Sequence, residues 1–271
     1  MDPAPDKRFA RHLSLSRIGP AGQARIEAAG VLIVGLGGLG SPAALYLAAA
    51  GIGRLTFADF DVVEVSNLQR QIAHATDRVG EAKVASARTA CLALHPGARI
   101  DCVERGLDDE DLAELVPGHD AVLDCSDNFA TRAAVNAACV AAGVPLVTGA
   151  AIRFDGQLTV VDPRVPGGPC WACLYGDAEG VDDGCAQAGI LGPVVGTIGC
   201  LQALEAIKLV CGLDDGAAAR AAAAAEDRDA GTSDAAAPPA GRLLLFDGLS
   251  LGFDEIAYRR RADCPVCAGR P

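Results

Sequence analysis

The first half of the chain alternates short apolar runs with stretches of helical periodicity. The run VLIV at 31–34 is continuously apolar, which is typical of a parallel strand covered on both faces. Four later segments have strand-like patterns, at 55–59, 98–104, 120–128 and 144–150. Helical patterns lie between them, up to about residue 50 and over 80–95, 108–115 and 131–142. This alternation predicts a doubly wound, mostly parallel, Rossmann-like sheet of the α/β class.

The second half of the chain has a different pattern. Residues 150–161 place Asp155 and Gly156 between two apolar runs, which predicts a tight hairpin turn at that pair. Residues 242–260 contain two further strand-like segments, and we expect them to form an antiparallel C-terminal extension of the sheet. The Ala-rich segment 214–240 contains no large apolar side chain, so it cannot bury enough surface to order itself firmly, and we expect a disordered insertion or at most a frayed helix.

Composition narrows the class of protein. A length of 271 residues, 51% of them hydrophobic, suits one α/β domain or a domain with a small appendage. The formal net charge of −12 argues against a nucleic-acid or anionic-membrane partner, because phosphate neutralisation needs basic surface. The N-terminal sequence MDPAPDKRFARH has no apolar signal segment, which favours a cytoplasmic location. The uncharged stretch 184–204 contains Gly, Pro and Gln, so it predicts a loop and a buried helix rather than a membrane span.

A glycine motif follows the first apolar run. Gly35, Gly37 and Gly40 form the pattern G-x-G-x-x-G between a strand and a helix, where glycine lets the backbone approach a phosphate near a helix N-terminus. Asp59 ends the next strand, at a place where a carboxylate can accept hydrogen bonds from ribose hydroxyls. The pattern indicates an adenosine-containing ligand, against the alternative of a merely structural turn. A nicotinamide-dependent oxidoreductase would begin in the same way.

Charged residues beyond the glycine motif favour a triphosphate. Arg70 lies in SNLQRQ at 66–71, and Lys83 opens the following helix, so a cation at each position can hold phosphates. Asp124 and Asp127 lie in DCSDN at a strand's C-terminal end, where open α/β sheets bind ligands, and one carboxylate there could hold Mg²⁺. Taken singly, each of these residues is more often a solvated charge or a helix cap.

Longer motifs resemble those of one enzyme family. The runs GLGGLGSP, DFDVVEVSNLQRQ, GEAKVASA, DCSDN and GCAQAGILGPVVGTIGCLQALEAIK are similar to the ThiF/MoeB/HesA family, the bacterial relatives of ubiquitin-activating enzymes. The resemblance extends from RFARH at 8–12 to CPVC at 264–267 and omits the Ala-rich segment. It implies a single adenylyltransferase domain over 1–271, with a nucleotide-binding half at 25–150 and a carrier- and zinc-binding half at 151–271.

The resemblance implies a reaction. The family uses ATP to adenylate the C-terminal Gly-Gly carboxylate of a ubiquitin-like sulfur-carrier protein, releasing pyrophosphate before sulfur transfer. Overall likeness favours a carrier of the molybdopterin-synthase small-subunit type, with a thiamine-pathway or other carrier as the alternative. No sulfurtransferase segment follows the C-terminal cysteines, so we expect a separate sulfurtransferase or cysteine desulfurase to deliver the sulfur.

The resemblance also assigns residues to the reaction. Arg70, Lys83 and Mg²⁺ would position and neutralise the phosphates, with Asp127 beside the metal. Arg11 matches an arginine that reaches the ATP site of a second subunit, which implies a homodimer. The positions implied to contact ATP are Gly35, Gly37, Gly38, Gly40, Asp59, Ser66, Asn67, Leu68, Gln69, Arg70, Lys83, Asp127 and Asn128.

The 11 cysteines, an odd number on a chain without a signal segment, favour free thiols and metal binding over disulfide bonds. Two C-x-x-C pairs resemble the family's structural Zn²⁺ site, with a redox pair as the alternative: Cys170, Cys173, Cys264 and Cys267. Cys185 aligns with a cysteine that in some members forms a thioester or persulfide with the carrier, and a spare thiol is the alternative. The remaining cysteines are predicted core residues: Cys91, Cys102, Cys125, Cys139, Cys200 and Cys211. Four histidines lack ligand spacing and are given no role: His12, His74, His95 and His119.

Two other classes of protein compete with the adenylyltransferase. A nicotinamide-dependent oxidoreductase would share the glycine motif and Asp59, but it leaves Lys83 and the SNLQRQ and DCSDN motifs without a function. A non-catalytic module that only docks a ubiquitin-like partner would not need four charged residues together: Arg11, Arg70, Lys83 and Asp127. Carrier-dependent exchange of pyrophosphate into ATP distinguishes these classes from the enzyme.

Overall fold

The computed structural model describes residues 5–176, 189–213 and 240–269. Within these residues, eight strands form one sheet: β1 (Gly30–Val34), β2 (Arg54–Ala58), β3 (Arg99–Val103), β4 (Ala121–Asp124), β5 (Leu146–Ile152), β6 (Asp155–Val161), β7 (Gly241–Asp247) and β8 (Gly252–Tyr258). They lie in the order β3-β2-β1-β4-β5-β6-β7-β8. Neighbours among β1 to β5 are parallel, and β6, β7 and β8 are added antiparallel. The predicted doubly wound sheet with an antiparallel C-terminal extension is confirmed.

Helices connect and cover the strands: α1 (Pro5–Arg8), α2 (Ala10–Leu13), α3 (Gly19–Ala28), α4 (Gly40–Ala50), α5 (Lys83–Leu94), α6 (Asp109–Leu115), α7 (Phe129–Ala142), α8 (Trp171–Tyr175) and α9 (Gly192–Cys211). The helices predicted near 80–95, 108–115 and 131–142 correspond to α5, α6 and α7. The predicted insertion at 214–240 lies outside the described residues except for its last position.

The two faces of β1 contribute to two separate cores. Val31 and Ile33 pack with residues of α4 and α9, whereas Leu32 and Val34 pack with residues of α6 and α7. All five residues of β1 are buried. A central parallel strand is apolar at every position because helices cover both of its faces, which is what the continuous run at 31–34 predicted.

Helix α9 is a core helix of the second half. It is long and apolar enough to cross a membrane, but 56% of that span is buried inside the protein. Its Ile198 packs against two sheet glycines: a Cβ would lie 2.9 Å from Ile198 at Gly149 and 2.5 Å from it at Gly156. The prediction of a buried helix in the uncharged stretch is therefore correct, while the part of the predicted loop at 184–188 lies outside the described ranges.

The hairpin between β5 and β6 turns at Arg153 and Phe154, so the prediction of a turn at 155–156 was wrong. Arg153 has a φ of +56°, which is uncommon for a residue other than glycine. Backbone hydrogen bonds hold it there: its N–H donates to Gly189 (2.8 Å), and its carbonyl oxygen accepts from Leu191 (3.2 Å). The glycine of the predicted pair instead makes room for α9. The sequence alone does not show whether a glycine is needed for close packing or for a turn, and the Asp-Gly pair therefore suggested a turn.

Candidate nucleotide site

The turn between β1 and α4 has a shape that requires glycine at two positions. Gly35 has a φ of +92°, and a Cβ there would lie 2.7 Å from the carbonyl oxygen of Cys125. A Cβ on Gly40 would collide with the carbonyl oxygen of Gly35. Among the described residues, the backbone N–H groups of residues 37–39 have no hydrogen-bond partner. Together with the positive end of the α4 dipole, these N–H groups can bind an anion such as a phosphate.

Asp59 is fixed beside this turn, directly after β2. Its Oδ2 atom accepts a hydrogen bond from the backbone N–H of Leu36 (2.6 Å), and its Oδ1 atom accepts one from the backbone N–H of Asp61 (2.8 Å). Burial raises the pKa of the Asp59 carboxyl, and the two backbone hydrogen bonds oppose that rise. Each carboxylate oxygen keeps a lone pair for a further donor, which suits the ribose contact predicted for this residue.

The SNLQRQ segment packs between the glycine turn and α9. Arg70 brings its Cγ atom 3.6 Å from the position that a Cβ of Gly38 would take. Its Nη1 atom donates to the carbonyl oxygen of Ser66 (3.2 Å), which fixes the direction of the guanidinium. At the start of α9, a Cβ on Gly192 would lie 2.5 Å from the carbonyl oxygen of Gln69. The structure therefore brings Arg70 next to the glycine turn, and its contact with phosphates stays a prediction.

The four residues before Arg70 in the same segment are exposed or half-buried. The Asn67 Nδ2 atom donates to the Ser66 hydroxyl (3.2 Å), and that hydroxyl donates to Glu64 (3.1 Å). Gln69 is exposed, whereas Leu68 is half-buried. Their contacts with ATP remain predictions.

Lys83 begins α5 with its side chain buried. Its Nζ atom pairs with Asp61 Oδ2 at 2.6 Å; the Lys83 side chain is 7% exposed and the Asp61 side chain is 49% exposed. The backbone N–H of Lys83 also donates to the carbonyl oxygen of Asp61 (2.9 Å). Because Asp61 in turn donates to Asp59, this pair connects Lys83 to the carboxylate beside the glycine turn.

Two aspartates follow one another closely at the end of β4, and they differ in burial and hydrogen bonding. Asp124 is fully buried, and it accepts hydrogen bonds from the Ser126 hydroxyl (2.6 Å) and the Thr148 hydroxyl (2.7 Å). Asp127 is exposed, and no hydrogen bond or ion pair holds its carboxylate within the described part of the chain. Asn128 caps α7 by accepting from the Thr131 N–H (2.9 Å), so its side-chain oxygen is already used. Of the two aspartates, Asp127 is the one that could hold a metal ion.

His74 is a residue of this site that the sequence analysis missed. It is buried, with Nε2 3.0 Å from the carbonyl oxygen of Leu36 and Nδ1 3.0 Å from the Ser86 hydroxyl. Burial lowers the pKa of the imidazole, so it is neutral at pH 7, with the Nε2–H donating to Leu36 and Nδ1 accepting from Ser86. It thereby ties the glycine turn to α5. No sequence signal could have revealed this, because both partners are brought together only by the fold.

The structure gives no contact with the nucleotide site for Arg11, and Cys185 is not among the described residues. Arg11 is exposed on α2. The neighbouring Phe9 packs its ring against Gly51, where an added Cβ would lie only 2.5 Å from the ring, and this contact anchors the segment. The contact of Arg11 with a second subunit stays a prediction. Cys185 lies outside the described residues, so its role is a prediction as well.

The four cysteines of the two C-x-x-C pairs meet in one buried cluster. Their sulfur atoms all lie within 4.8 Å of one another. Cys170 Sγ is 4.0 Å from Cys173 Sγ and 3.6 Å from Cys264 Sγ, and Cys173 Sγ is 3.4 Å from Cys267 Sγ. A tetrahedral Zn²⁺ with bonds of about 2.3 Å needs sulfur separations of about 3.8 Å, so the four thiols fit such an ion. Burial raises the pKa of the Cys170 thiol, and a bound cation would oppose that rise by stabilising the thiolate.

The remaining described cysteines are not all core residues. Cys91, Cys125, Cys139 and Cys211 are buried, as predicted. Cys102 is exposed and Cys200 is only half-buried, so the prediction was wrong for the first and only partly right for the second. The physical reason for Cys102 is its position on β3, an edge strand whose residues are all exposed or half-buried.

The fold, the glycine turn and the charges around it define a nucleotide-binding α/β protein, and comparison with known proteins narrows that class. The chain matches the ThiF family over residues 9–266 and belongs to that family. It is 43% identical to the Sulfur carrier protein ThiS adenylyltransferase of Escherichia coli, over 97% of this chain and 95% of that protein. It is also 43% identical to the SAMP-activating enzyme E1 of Haloferax volcanii, over 96% of this chain and 88% of that protein.

A third relative is longer. The chain is 44% identical to the Adenylyltransferase and sulfurtransferase MOCS3 of Mus musculus over 97% of its own length, but it spans only 53% of that protein. The prediction of an adenylyltransferase of this family is confirmed. Among solved structures, a crystal structure of E. coli MccB with MccA-N7isoASN has a TM-score of 0.77 at 20% identity, covering 99% of this chain and 76% of that one. This likeness supports the fold alone.

Proposed function

We propose that this protein uses ATP to adenylate the C-terminal Gly-Gly carboxylate of a ubiquitin-like sulfur-carrier protein. The observation that carries the proposal is the gathering of Arg70, Asp59 and the Lys83–Asp61 pair around one anion-binding glycine turn. An adenosine site with two cations beside the phosphate position suits ATP. The names of two close relatives, a sulfur-carrier adenylyltransferase and a SAMP-activating enzyme, support a carrier protein as the second substrate.

The chemistry needs positioning more than proton transfer. A carboxylate is already ionised near pH 7, so its oxygen can attack the α-phosphorus of ATP without a general base. The new bond joins the carboxylate oxygen to the α-phosphorus, the bond to the bridging oxygen breaks, and pyrophosphate leaves with the electron pair. Bringing one anion to another is the main obstacle. The Arg70 guanidinium and the Lys83 ammonium would oppose that repulsion and neutralise charge on the phosphates.

Asp127 would hold the Mg²⁺ that accompanies the nucleotide. An exposed carboxylate with no described partner is suited to a cation that keeps part of its water shell. The bound ion would neutralise phosphate charge. Asp124 does not suit this role because it is completely buried and its oxygens accept from the Ser126 and Thr148 hydroxyls.

The C-terminal end of the sheet offers a surface for the body of the carrier. Strand β8 is an edge strand, and Leu249 (74% exposed) and Leu251 (75% exposed) lie in the turn that precedes it. Exposed apolar side chains beside an open strand edge favour binding of another protein. Helix α9 connects this turn with the nucleotide site. Val194 lies 3.0 Å from the position that a Cβ of Gly248 would take, and the next residue, Val195, lies 3.0 Å from the corresponding position at Gly38.

The four-cysteine cluster would hold a structural Zn²⁺. Four thiolates complete a tetrahedral shell and leave no position for a substrate, so the ion would stabilise the fold. It would join α8 to the segment after β8.

The remaining expectations complete the proposal. The carrier would be of the molybdopterin-synthase small-subunit type, with a ThiS-type carrier as the alternative, and sulfur would come from a separate sulfurtransferase or cysteine desulfurase. The enzyme would act as a cytoplasmic homodimer in which Arg11 reaches the partner's nucleotide, with residues 25–150 binding the nucleotide and residues 151–271 binding the carrier and Zn²⁺. Cys185 would be dispensable for adenylation, since that step needs no thiol.

The experiment that tests the proposal is exchange of labelled pyrophosphate into ATP. We expect exchange only when Mg²⁺ and a carrier ending in Gly-Gly are both present. The matched control is the same carrier without its last glycine, which should not support exchange. Absence of exchange with molybdopterin-type, ThiS-type and SAMP-type carriers would contradict the proposal, and it would favour a module that only docks the carrier.

A further inference from the structure

Gln71 is buried beside the glycine turn, and its side-chain amide makes no hydrogen bond within the described residues. Only 4% of the residue is exposed, and its Oε1 atom is fully buried. That buried oxygen nevertheless has no hydrogen-bond partner. Its Nε2 atom also lacks a partner among the described residues, and it lies 3.6 Å from the position that a Cβ of Gly37 would take. Gln71 follows Arg70 directly, but the sequence analysis gave it no role of its own.

A second buried glutamine shows what a structural amide looks like in the same protein. Gln202 is completely buried, and its Nε2 atom donates to the carbonyl oxygens of Asp124 (2.8 Å) and Val147 (3.2 Å). Its Oε1 atom accepts from the Cys125 thiol (3.5 Å). Buried polar groups in folded proteins are almost always paired in this way, because an unpaired one destabilises the fold. Gln71 departs from that rule at the edge of a candidate binding site.

The position of the amide indicates which ligand group it meets. The N–H groups of residues 37–39 are also without described partners, and they start the helix whose dipole favours an anion. The Nε2 atom adds one more N–H donor on the same side of the turn. Asp59, the residue suited to the ribose, accepts a hydrogen bond from the backbone N–H of Leu36. Leu36 precedes Gly37, so the ribose position lies on the β1 side of the turn. We propose that Gln71 is a nucleotide-binding residue whose amide N–H donates to a phosphate oxygen of ATP. This inference depends on the ATP binding proposed above.

The test is direct binding of a nucleotide series, measured by calorimetry without carrier. The ligands are ATP, ADP, AMP and adenosine, each with the wild-type protein, Gln71→Leu and Gln71→Glu. Loss of a hydrogen bond to a charged group raises the dissociation constant by roughly tenfold to a hundredfold, and we expect that range for ATP with Gln71→Leu. Adenosine affinity should not change. Gln71→Glu should weaken ATP further, because a carboxylate repels the phosphates.

The controls distinguish this inference from the proposed function. Gln157→Leu removes an amide on β6 that pairs with Tyr175, and we expect it to leave ATP affinity unchanged. Thermal melting establishes that each variant folds, and Gln71→Asn, which keeps the amide but shortens its reach, replaces any variant that does not. If the wild-type protein binds ATP but these variants bind it equally well, the inference is wrong. Equal losses for ATP and adenosine would also overturn it, whereas failure of the wild-type protein to bind ATP would count against the proposed function.

Discussion

The Lys83–Asp61 pair should respond very differently to removal of its two members. The Lys83 side chain is 7% exposed, whereas the Asp61 side chain is 49% exposed. Asp61→Asn leaves a buried ammonium without its ion-pair partner. Lys83→Met leaves a carboxylate that water already reaches, and methionine keeps most of the apolar stem of lysine. We therefore expect Asp61→Asn to cost more stability and Lys83→Met to cost more activity.

The exposures set the magnitudes. Removing one partner of a fully buried pair costs about 3–5 kcal/mol, and an exposed pair contributes about 0–1 kcal/mol. Because Asp61 is half-exposed, water can replace part of its interaction, so we expect about 1–3 kcal/mol for Asp61→Asn. For Lys83→Met we expect less than about 1 kcal/mol of stability but a loss of exchange activity of about a hundredfold or more, since a charge that stabilises the transition state is removed.

Urea unfolding and carrier-dependent exchange measure the two effects. The control is Arg105→Met, which breaks an exposed ion pair with Asp111 (2.5 Å) outside the proposed site. It should change both the free energy of unfolding and the exchange rate very little. The reasoning is refuted if Lys83→Met destabilises the protein as much as Asp61→Asn does, or if Lys83→Met retains normal exchange.

Three further predictions concern pH, metal and the proposed magnesium ligand. Burial lowers the pKa of His74 and His119 below their ordinary value of 6.5, so the unfolded chain binds protons more readily and the free energy of unfolding should fall as pH decreases below about 6.5. His74→Gln should flatten that fall in urea titrations, and an unchanged pH profile would contradict the prediction. Removal of metal by a chelator, or Cys267→Ser, should lower the melting temperature and release about one Zn²⁺ per chain, measured by metal analysis; a preparation without Zn²⁺ but with normal stability would argue against the structural site. Asp127→Ala should abolish carrier-dependent exchange while the melting temperature stays within a few degrees, and normal exchange would exclude Asp127 as the metal-binding residue.

Much of the fold follows from local patterns in the sequence. The continuous apolar run of β1 predicted a central parallel strand, and the G-x-G-x-x-G motif predicted a phosphate-binding turn. Both predictions depend only on residues that are adjacent in sequence. The same holds for the C-x-x-C pairs, whose ligand spacing is local. Their meeting, however, is a tertiary event, since the two pairs are joined only when the end of the chain returns to the loop before α8.

Other features could not be predicted because their causes lie in distant residues. The sequence suggested that Gly156 is a turn residue, but it is a strand residue that contacts Ile198 of α9, where a Cβ would not fit. Asp124 and Asp127 lie in one short motif, and only the positions of Ser126 and Thr148 show that the first is fully engaged. The hydrogen bonds of His74 likewise depend on packing between separate segments, since its partners are the Leu36 carbonyl oxygen and the Ser86 hydroxyl. The unpaired amide of Gln71 is also visible only in the folded protein.

The most direct test of the central claim is mass spectrometry of a candidate carrier after incubation with the enzyme, ATP and Mg²⁺. We expect the carrier to gain one adenylyl group at its C-terminal carboxylate, and we expect hydroxylamine to remove it, as for a mixed anhydride. The carrier that reacts would also distinguish the molybdopterin type from the ThiS type. A carrier that binds the enzyme in the presence of ATP but never gains that mass would contradict the account.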